Sequence, residues 1–317
     1  MKKKIKIIMQ ICMTSLLLGF ILLTNNILPI FNFFSQISLH IWLLILLLTA
    51  SAVVIMVVRI RLFLPKHKFK ALLYVRLVSS AYALVLPGQL ASEGVRAYMM
   101  GKDEQEYAQP GTAVMIDKLL GIVALLVLGI VGLIISEYSL PELVVAFALT
   151  SGMLFVILFS VTNSRLYDLF QKFMTALSKK RGYIGNIFVF LSRVLENWKI
   201  YSSNKKLLGK NLLYGILLQL FIALIGVLFT YGVGAGFYFF EWLWIHAMLT
   251  FVLLIPISLG GLGIREGSLI GFLGLIGIEP EKALAVSFGL LSTQLIQATV
   301  GIALKIFIAL RNRPALK

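Results

Sequence analysis

The feature that most constrains the fold is a series of apolar runs long enough to cross a lipid bilayer. A transmembrane helix needs about 20 apolar residues, and runs of this kind occur at roughly 7–30, 39–58, 112–135, 142–161, 211–232 and 282–304. Only 13% of the 317 residues are charged, against about 25% in an ordinary soluble domain. We therefore predict an all-α, polytopic integral membrane protein with six full spans, which excludes soluble enzyme folds and nucleic-acid-binding modules.

Basic residues predict the orientation of these spans. They are concentrated in the first six residues, in 59–70, in 162–210 and at the C-terminal end, whereas 31–38 carries no charge. Because Lys and Arg favour cytoplasmic loops, we predict that both termini are cytoplasmic in a bacterial or archaeal cell membrane. The net charge of +16 is then explained by contact with anionic lipid headgroups, without a nucleic-acid partner.

Two further apolar regions, roughly 71–100 and 238–277, are interrupted by proline, glycine and charge. We expect each to form either a re-entrant hairpin or two crossings, and we favour re-entrance for the first. The predicted helix-breaking or hinge residues are Pro87, Gly88, Gly94, Pro256, Gly260, Gly261 and Gly263. Close helix packing is the alternative explanation for the last three glycines.

The two interrupted regions align at an offset of 169 residues, which superimposes Pro87 on Pro256 and Arg96 on Arg265. The same offset places the flanking spans on one another, and the predicted orientation makes the two units face opposite ways. We therefore predict an inverted-topology repeat, with units at about 39–135 and 208–304 in a single membrane domain, 1–317. We expect the segment at about 162–210 to be a cytoplasmic insert of two amphipathic helices.

Ionisable residues at membrane depth cost about 2.5–3.5 kcal/mol each at a helix centre, so they are candidates for function. Three such clusters of mixed sign occur, and we predict that they bind substrate: Glu93 with Arg96, Asp117 with Lys118, and Arg265 with Glu266. The alternatives are a structural ion pair for the first cluster and a place at the cytoplasmic interface for the second. We expect Arg76 to extend to the inner membrane surface, and Trp242 and Trp244 to belong to an interfacial aromatic belt.

The sequence contains no pattern typical of catalysis or metal binding. The single cysteine, Cys12, excludes an internal disulfide and a cysteine-based metal site. Neither a catalytic triad nor zinc-ligand spacing nor a phosphate-binding loop is present. We therefore predict no catalytic residues, no metal and no cofactor.

Several motifs resemble those of the lysylphosphatidylglycerol synthase transmembrane family, the flippase-like domain found at the front of the multiple peptide resistance factor. They are Leu86-Pro87-Gly88, Glu93, Arg96-Ala97-Tyr98, Asp117-Lys118-Leu119-Leu120 and the segment 256–266, which ends in Gly260-Gly261-Leu262-Gly263-Ile264-Arg265-Glu266. The resemblance covers about 10–305. It implies translocation of a charged or headgroup-modified lipid, either an aminoacyl-phospholipid or a polyprenyl-linked lipid, between membrane leaflets.

The partners implied are membrane lipids, namely an anionic phospholipid or a polyprenyl-phosphate lipid, and a lipid-modifying enzyme is a further candidate. Full-length synthases carry a soluble aminoacyl transferase domain, which this sequence lacks, so we expect no enzymatic activity from this chain by itself. Two alternatives remain open. The chain could be the membrane component of a phosphatidylglycerol lysyltransferase with a separate catalytic domain, or a scaffold for a glycosyltransferase or lipid-synthesis enzyme.

Overall fold

A computed structural model describes residues 28–86, 89–102, 105–138, 183–255 and 258–311, together with positions 19, 145, 147–150, 152, 171 and 172. Within these residues the chain is helical, and ten helices follow one another. They are α1 (Leu28–Gln36), α2 (Leu39–Phe63), α3 (Phe69–Val85), α4 (Gln89–Gly101), α5 (Ala108–Ile135), α6 (Tyr183–Ser203), α7 (Lys205–Gly232), α8 (Phe239–Leu254), α9 (Ile264–Gly274) and α10 (Pro280–Arg311). The predicted all-α class is confirmed.

Four of these helices are long and apolar enough to cross a membrane: α2, α5, α7 and α10. They correspond to four of the six predicted spans, so a multi-pass membrane protein is confirmed. Most of the other two spans, 7–30 and 142–161, lies outside the described residues. The uncharged segment 31–38, between the first two predicted spans, is helical as far as Gln36, where α1 (Leu28–Gln36) ends.

The interrupted regions each contain two shorter helices, α3 with α4 and α8 with α9. At 1.5 Å per residue, the 13 residues of α4 extend about 20 Å, well short of the roughly 30 Å hydrocarbon core. Pro87, Gly88 and Pro256, where breaks were predicted, lie outside the described residues. Gly94 lies inside the continuous α4, so the break predicted at this glycine does not occur.

The largest core cluster joins α2, α5, α7, α8, α9 and α10. Trp242 and Trp244 of α8 are fully buried in it, and the Trp242 indole nitrogen donates a hydrogen bond to Thr230 at 3.2 Å. The prediction that these two tryptophans form an interfacial belt was therefore wrong. A Cβ atom at Gly226 would overlap the Trp242 ring, so the glycine lets the indole pack against α7.

The amphipathic helix α6 covers a second core cluster near the end of α2. Trp198 and Tyr201 are the buried residues of its apolar face, and the Tyr201 hydroxyl donates to the Phe63 carbonyl oxygen at 3.1 Å. Burial raises the pKa of this phenol, which keeps it protonated as a donor. The last part of the predicted insert, 205–210, forms the start of the long helix α7, which begins at Lys205.

Candidate functional site

A cavity of about 340 Å³ lies among the two interrupted regions and the long helices. This volume falls within the range of about 300–1,000 Å³ that small-molecule sites occupy. Five of the six predicted ligand residues line it: Glu93, Arg96, Asp117, Lys118 and Arg265. The structure thus brings together side chains that are up to 172 positions apart in the sequence.

Asp117 on α5 is the centre of the ionic network on one side of the cavity. Its Oδ1 lies 3.0 Å from an Arg59 guanidinium nitrogen, and its Oδ2 lies 3.3 Å from one of Arg96. Asn211 on α7 donates to Asp117 Oδ1 at 3.1 Å, while its own Oδ1 accepts from Arg59 at 3.1 Å. One carboxylate therefore compensates two buried arginines from α2 and α4.

Arg59 fits between α5 and α7 because both helices present glycine to it. A Cβ atom at Gly121 would lie 3.4 Å from the guanidinium, and one at Gly215 would lie 3.6 Å from its central carbon. The side chain of Arg59 is only 4% exposed. This arginine was assigned from sequence to a cytoplasmic loop, and its burial shows that it belongs to the ionic network instead.

Glu93 and Arg96 form an i, i+3 ion pair on α4, with 3.0 Å between the carboxylate oxygen and Nε. Glu93 is 20% exposed, whereas Arg96 is 6% exposed. Arg96 therefore lies between two acidic residues, Glu93 on its own helix and Asp117 on α5. The sequence-based alternative of a structural ion pair agrees with this geometry as well as a ligand site does.

Arg265 and Glu266 form the second ionic group, at the start of α9. Arg265 donates to Glu266 Oε1 at 2.8 Å, to Ser287 at 3.3 Å and to Gln294 at 3.3 Å. Glu266 is fully buried and lies behind Arg265, outside the cavity wall. Its Oε2 accepts a hydrogen bond from the Gly263 backbone at 2.6 Å, so it also caps the first turn of α9.

The turn before α9 depends on three glycines. Gly260, Gly261 and Gly263 have φ angles of 59°, 78° and 82°, a region that favours residues without a Cβ atom. A Cβ atom at Gly260 would also lie 2.7 Å from the Leu84 carbonyl oxygen at the end of α3. The helix break predicted at these glycines is therefore present, and it contacts the other interrupted region.

Arg76 and Lys118 also line the cavity, but they differ from the other cations there. Within the described residues, neither side chain has an ion pair or a hydrogen bond, and the Arg76 Nε is buried without a partner. Arg76 was predicted to extend to the membrane surface, and its place in the cavity wall corrects that prediction. The sequence signal, a basic residue in an interrupted apolar region, was equally compatible with the inner membrane surface, to which Arg76 had been assigned.

Neutral polar side chains cover other parts of the cavity wall. His246 Nε2 and Gln219 Oε1 are 2.9 Å apart, and the Gln219 amide nitrogen donates to the Gly121 carbonyl at 3.2 Å. Gln294 and Gln297 line the wall from α10. Sequence reasoning did not select these residues, although glutamine within an apolar span was a usable signal.

No group of three His, Cys, Asp or Glu side chains that could hold a metal ion occurs among the described residues. Comparison of the chain with known proteins gave one informative result. Residues 7–301 match the family model for the lysylphosphatidylglycerol synthase TM region. A search of curated proteins and a search of solved structures found no match. Because the family model covers nearly the whole chain, this protein belongs to the lysylphosphatidylglycerol synthase TM region family.

Proposed function

We propose that this protein translocates a lipid with a charged headgroup between the two leaflets of the cell membrane. The observation that carries the proposal is the cavity, which collects ionic side chains inside a largely apolar helical protein. Five basic side chains line it: Arg59, Arg76, Arg96, Lys118 and Arg265. Membership in a family with a membrane lipid-related function supports a lipid as the ligand.

The physical argument concerns the cost of moving a charged headgroup through hydrocarbon. An isolated charge in a low-dielectric medium loses most of its hydration energy. The acyl chains of the lipid, in contrast, lose no favourable interaction in hydrocarbon. A cavity with fixed charges and amides replaces the lost water, and Arg guanidinium groups bind phosphate with two parallel hydrogen bonds. In this proposal Arg96 and Arg265 contact the headgroup phosphate at successive stages, while Glu93 and Glu266 hold them when the cavity is empty.

The proposal includes the inverted repeat as the basis of transport. Helix bounds support it, because adding 169 to the bounds of α2, α3 and α5 gives 208–232, 238–254 and 277–304. The observed α7, α8 and α10 begin or end within seven residues of these values. For α4 the same operation gives 258–270, which overlaps the turn and α9.

Helix packing supports the repeat independently. If α2, α3, α4 and α5 correspond in that order to α7, α8, α9 and α10, the packing of α3 on α10 should have a counterpart in the packing of α8 on α5. These two pairs of helices have the most extensive contacts. The pairs α4–α5 and α9–α10 correspond in the same way. Among the described helices, the contact between α5 and α7 has no counterpart of similar extent. The Arg59–Asp117–Asn211 network lies at this contact.

An inverted repeat provides two related conformations that open a central site to opposite leaflets. We infer that both termini are cytoplasmic, and that the cavity lies between the units at about 39–135 and 208–304. No nucleotide-binding pattern occurs in the sequence, so in this proposal transport is passive or coupled to an ion.

Reconstitution of the full chain into vesicles tests the proposal. The vesicles would contain phosphatidylglycerol labelled on an acyl chain with a fluorophore that impermeant dithionite quenches. We expect dithionite to quench the inner-leaflet label as well when the protein is present, and only the outer-leaflet label in protein-free vesicles. Equal quenching in the two preparations, with every vesicle shown to contain inserted protein, would contradict translocation.

A further inference from the structure

The charges in the cavity also distinguish between classes of headgroup. Resting on the proposed lipid-translocating function, we propose that the ligand is an anionic lipid whose phosphate first binds between Arg76 and Lys118, before it contacts Arg96 and Arg265, and that aminoacylated cationic lipids are excluded. The rest of such a headgroup would be neutral and rich in hydroxyl groups. Lys118 belongs to the ligand set predicted from sequence, whereas Arg76 was assigned to the inner membrane surface.

Every carboxylate at the site forms an ion pair with arginine. Asp117 uses both oxygens for Arg59 and Arg96, and Glu266 is fully buried against Arg265. Glu93 pairs with Arg96 through Oε2. A headgroup ammonium therefore meets no free carboxylate, and it would have to approach through several positive charges.

The site also has an excess of positive charge. The five basic side chains of the cavity exceed the two lining carboxylates and Glu266 by two charges. The three arginines in ion pairs balance the charge of the three acidic residues. The two remaining positive charges are those of Arg76 and Lys118. Uncompensated cations in a low-dielectric interior are costly, and a phosphate between them would remove that cost and gain charge-assisted hydrogen bonds.

The neutral part of the cavity wall also favours a particular kind of headgroup. Gln294 and Gln297 from α10, with Thr250 from α8, line the cavity together with Gln219 and His246. Amide and hydroxyl groups both donate and accept hydrogen bonds, which suits the hydroxyl groups of a glycerol or sugar. The arrangement therefore favours one phosphate and an uncharged polyol over a headgroup that carries an amine.

Binding measurements on the detergent-purified full chain test this inference apart from transport. Thermal stability would be followed during titration with short-chain phosphatidylglycerol, with short-chain lysylphosphatidylglycerol, and with a polyprenyl phosphate carrying a sugar. We expect at least one of the two anionic lipids to stabilise the protein at a concentration about tenfold or more below that required of the lysyl lipid, since one charge-assisted contact is worth about that factor. Which anionic lipid binds more tightly distinguishes a phospholipid from a polyprenyl-linked source.

Variants connect the selectivity to the two cations. R76Q and K118Q should each weaken anionic-lipid binding about tenfold, and K118E should shift preference toward the lysyl lipid. The matched control is R61Q, because Arg61 lies two residues from Arg59 on the same helix but is exposed, and its binding should be unchanged. The conservative R76K should retain part of the affinity, which loss of folding would not allow.

Two results would overturn the inference. One is equal or tighter binding of lysylphosphatidylglycerol by the wild-type protein, a comparison that needs no variant to fold. The other is wild-type affinity for anionic lipid in folded R76Q and K118Q. If the protein binds anionic lipid selectively but does not move it between leaflets, the proposed function fails and this site assignment stands. If it moves the lysyl lipid as rapidly as the anionic lipid, translocation stands and this inference fails.

Discussion

Gly132 on α5 and Gly301 on α10 lie 169 residues apart, and each is a point of close approach to a helix from the other half of the chain. A Cβ atom at Gly301 would overlap the Leu77 carbonyl of α3, and one at Gly132 would overlap α8 near Leu243 and Trp244. Both glycines thus allow a long helix to touch the backbone of a shorter one. These two interfaces are the most extensive in the structure, so they bind the halves to each other.

The first prediction follows from this packing. We expect Gly301→Ala to destabilise the protein by about 1–3 kcal/mol, because the new methyl group meets backbone that cannot rotate away. Thermal unfolding in detergent measures the effect. Gly209→Ala is the control, since nothing lies within 4 Å of a Cβ atom there, and it should be neutral or slightly stabilising. Equal unfolding temperatures for the two variants would contradict the close α3–α10 contact.

The second prediction concerns Asp117. Asp117→Asn leaves Arg59 and Arg96 without their shared carboxylate, which should cost about 3–5 kcal/mol, the usual effect of breaking a buried ion pair. Glu279→Gln is the matched control, because its partner Lys282 is 3.4 Å away and Glu279 itself is 65% exposed. We expect that control to change stability by less than about 1 kcal/mol. Chemical or thermal denaturation of the two purified variants makes the comparison, and a stable Asp117→Asn protein would show that Asp117 is not the centre of this network.

The third prediction concerns the room that α5 leaves for Arg59. Gly121→Leu should displace the guanidinium, since even a Cβ atom at this position would lie 3.4 Å from it. The variant should therefore lose stability to a similar extent as Arg59→Ala, and the double variant should lose little more than either one. Additive losses in that double-mutant cycle would mean that Gly121 and Arg59 act separately.

The fourth prediction concerns topology. The end of α6 should be cytoplasmic, because Lys and Arg accumulate between 162 and 210. A single cysteine at the exposed Ser203, introduced in a Cys12→Ser background, should react with an impermeant thiol reagent only after the cells are opened. Reaction in intact cells would show that the end of α6 faces the outside, which would contradict the predicted orientation of the chain.

The sequence predicted the helical class and four long spans because hydropathy depends on composition over about 20 residues. The ends of those spans were less well predicted. Helix α2 continues past Arg59 to Phe63, since a charge does not end a helix when tertiary contacts bury it. Helix α7 begins earlier than its apolar run because Asn204 accepts a hydrogen bond from the Leu207 backbone and caps it.

The sequence likewise identified only some of the charged residues that line the cavity. Glu93, Arg96 and Arg265 could be selected from sequence, because charge next to helix-breaking residues is unusual at membrane depth. Arg59 and Arg76 could not be assigned in this way, since a basic residue near a span end is equally compatible with the cytoplasmic surface. Only the packing of α5 and α7, with glycine on both sides of the Arg59 guanidinium, determines that this side chain is directed inward.

We propose that charged side chains in this cavity carry a lipid headgroup across the membrane. This proposal is tested by the rate of fluorescent phosphatidylglycerol exchange between leaflets of proteoliposomes containing Arg96→Ala, Arg265→Ala or the exposed control Arg61→Ala. We predict that both cavity variants, inserted and folded, lose most of the wild-type rate, that Arg→Lys at either position restores only part of it, and that the control is unaffected. Wild-type rates from well-folded Arg96→Ala and Arg265→Ala proteins would contradict the account.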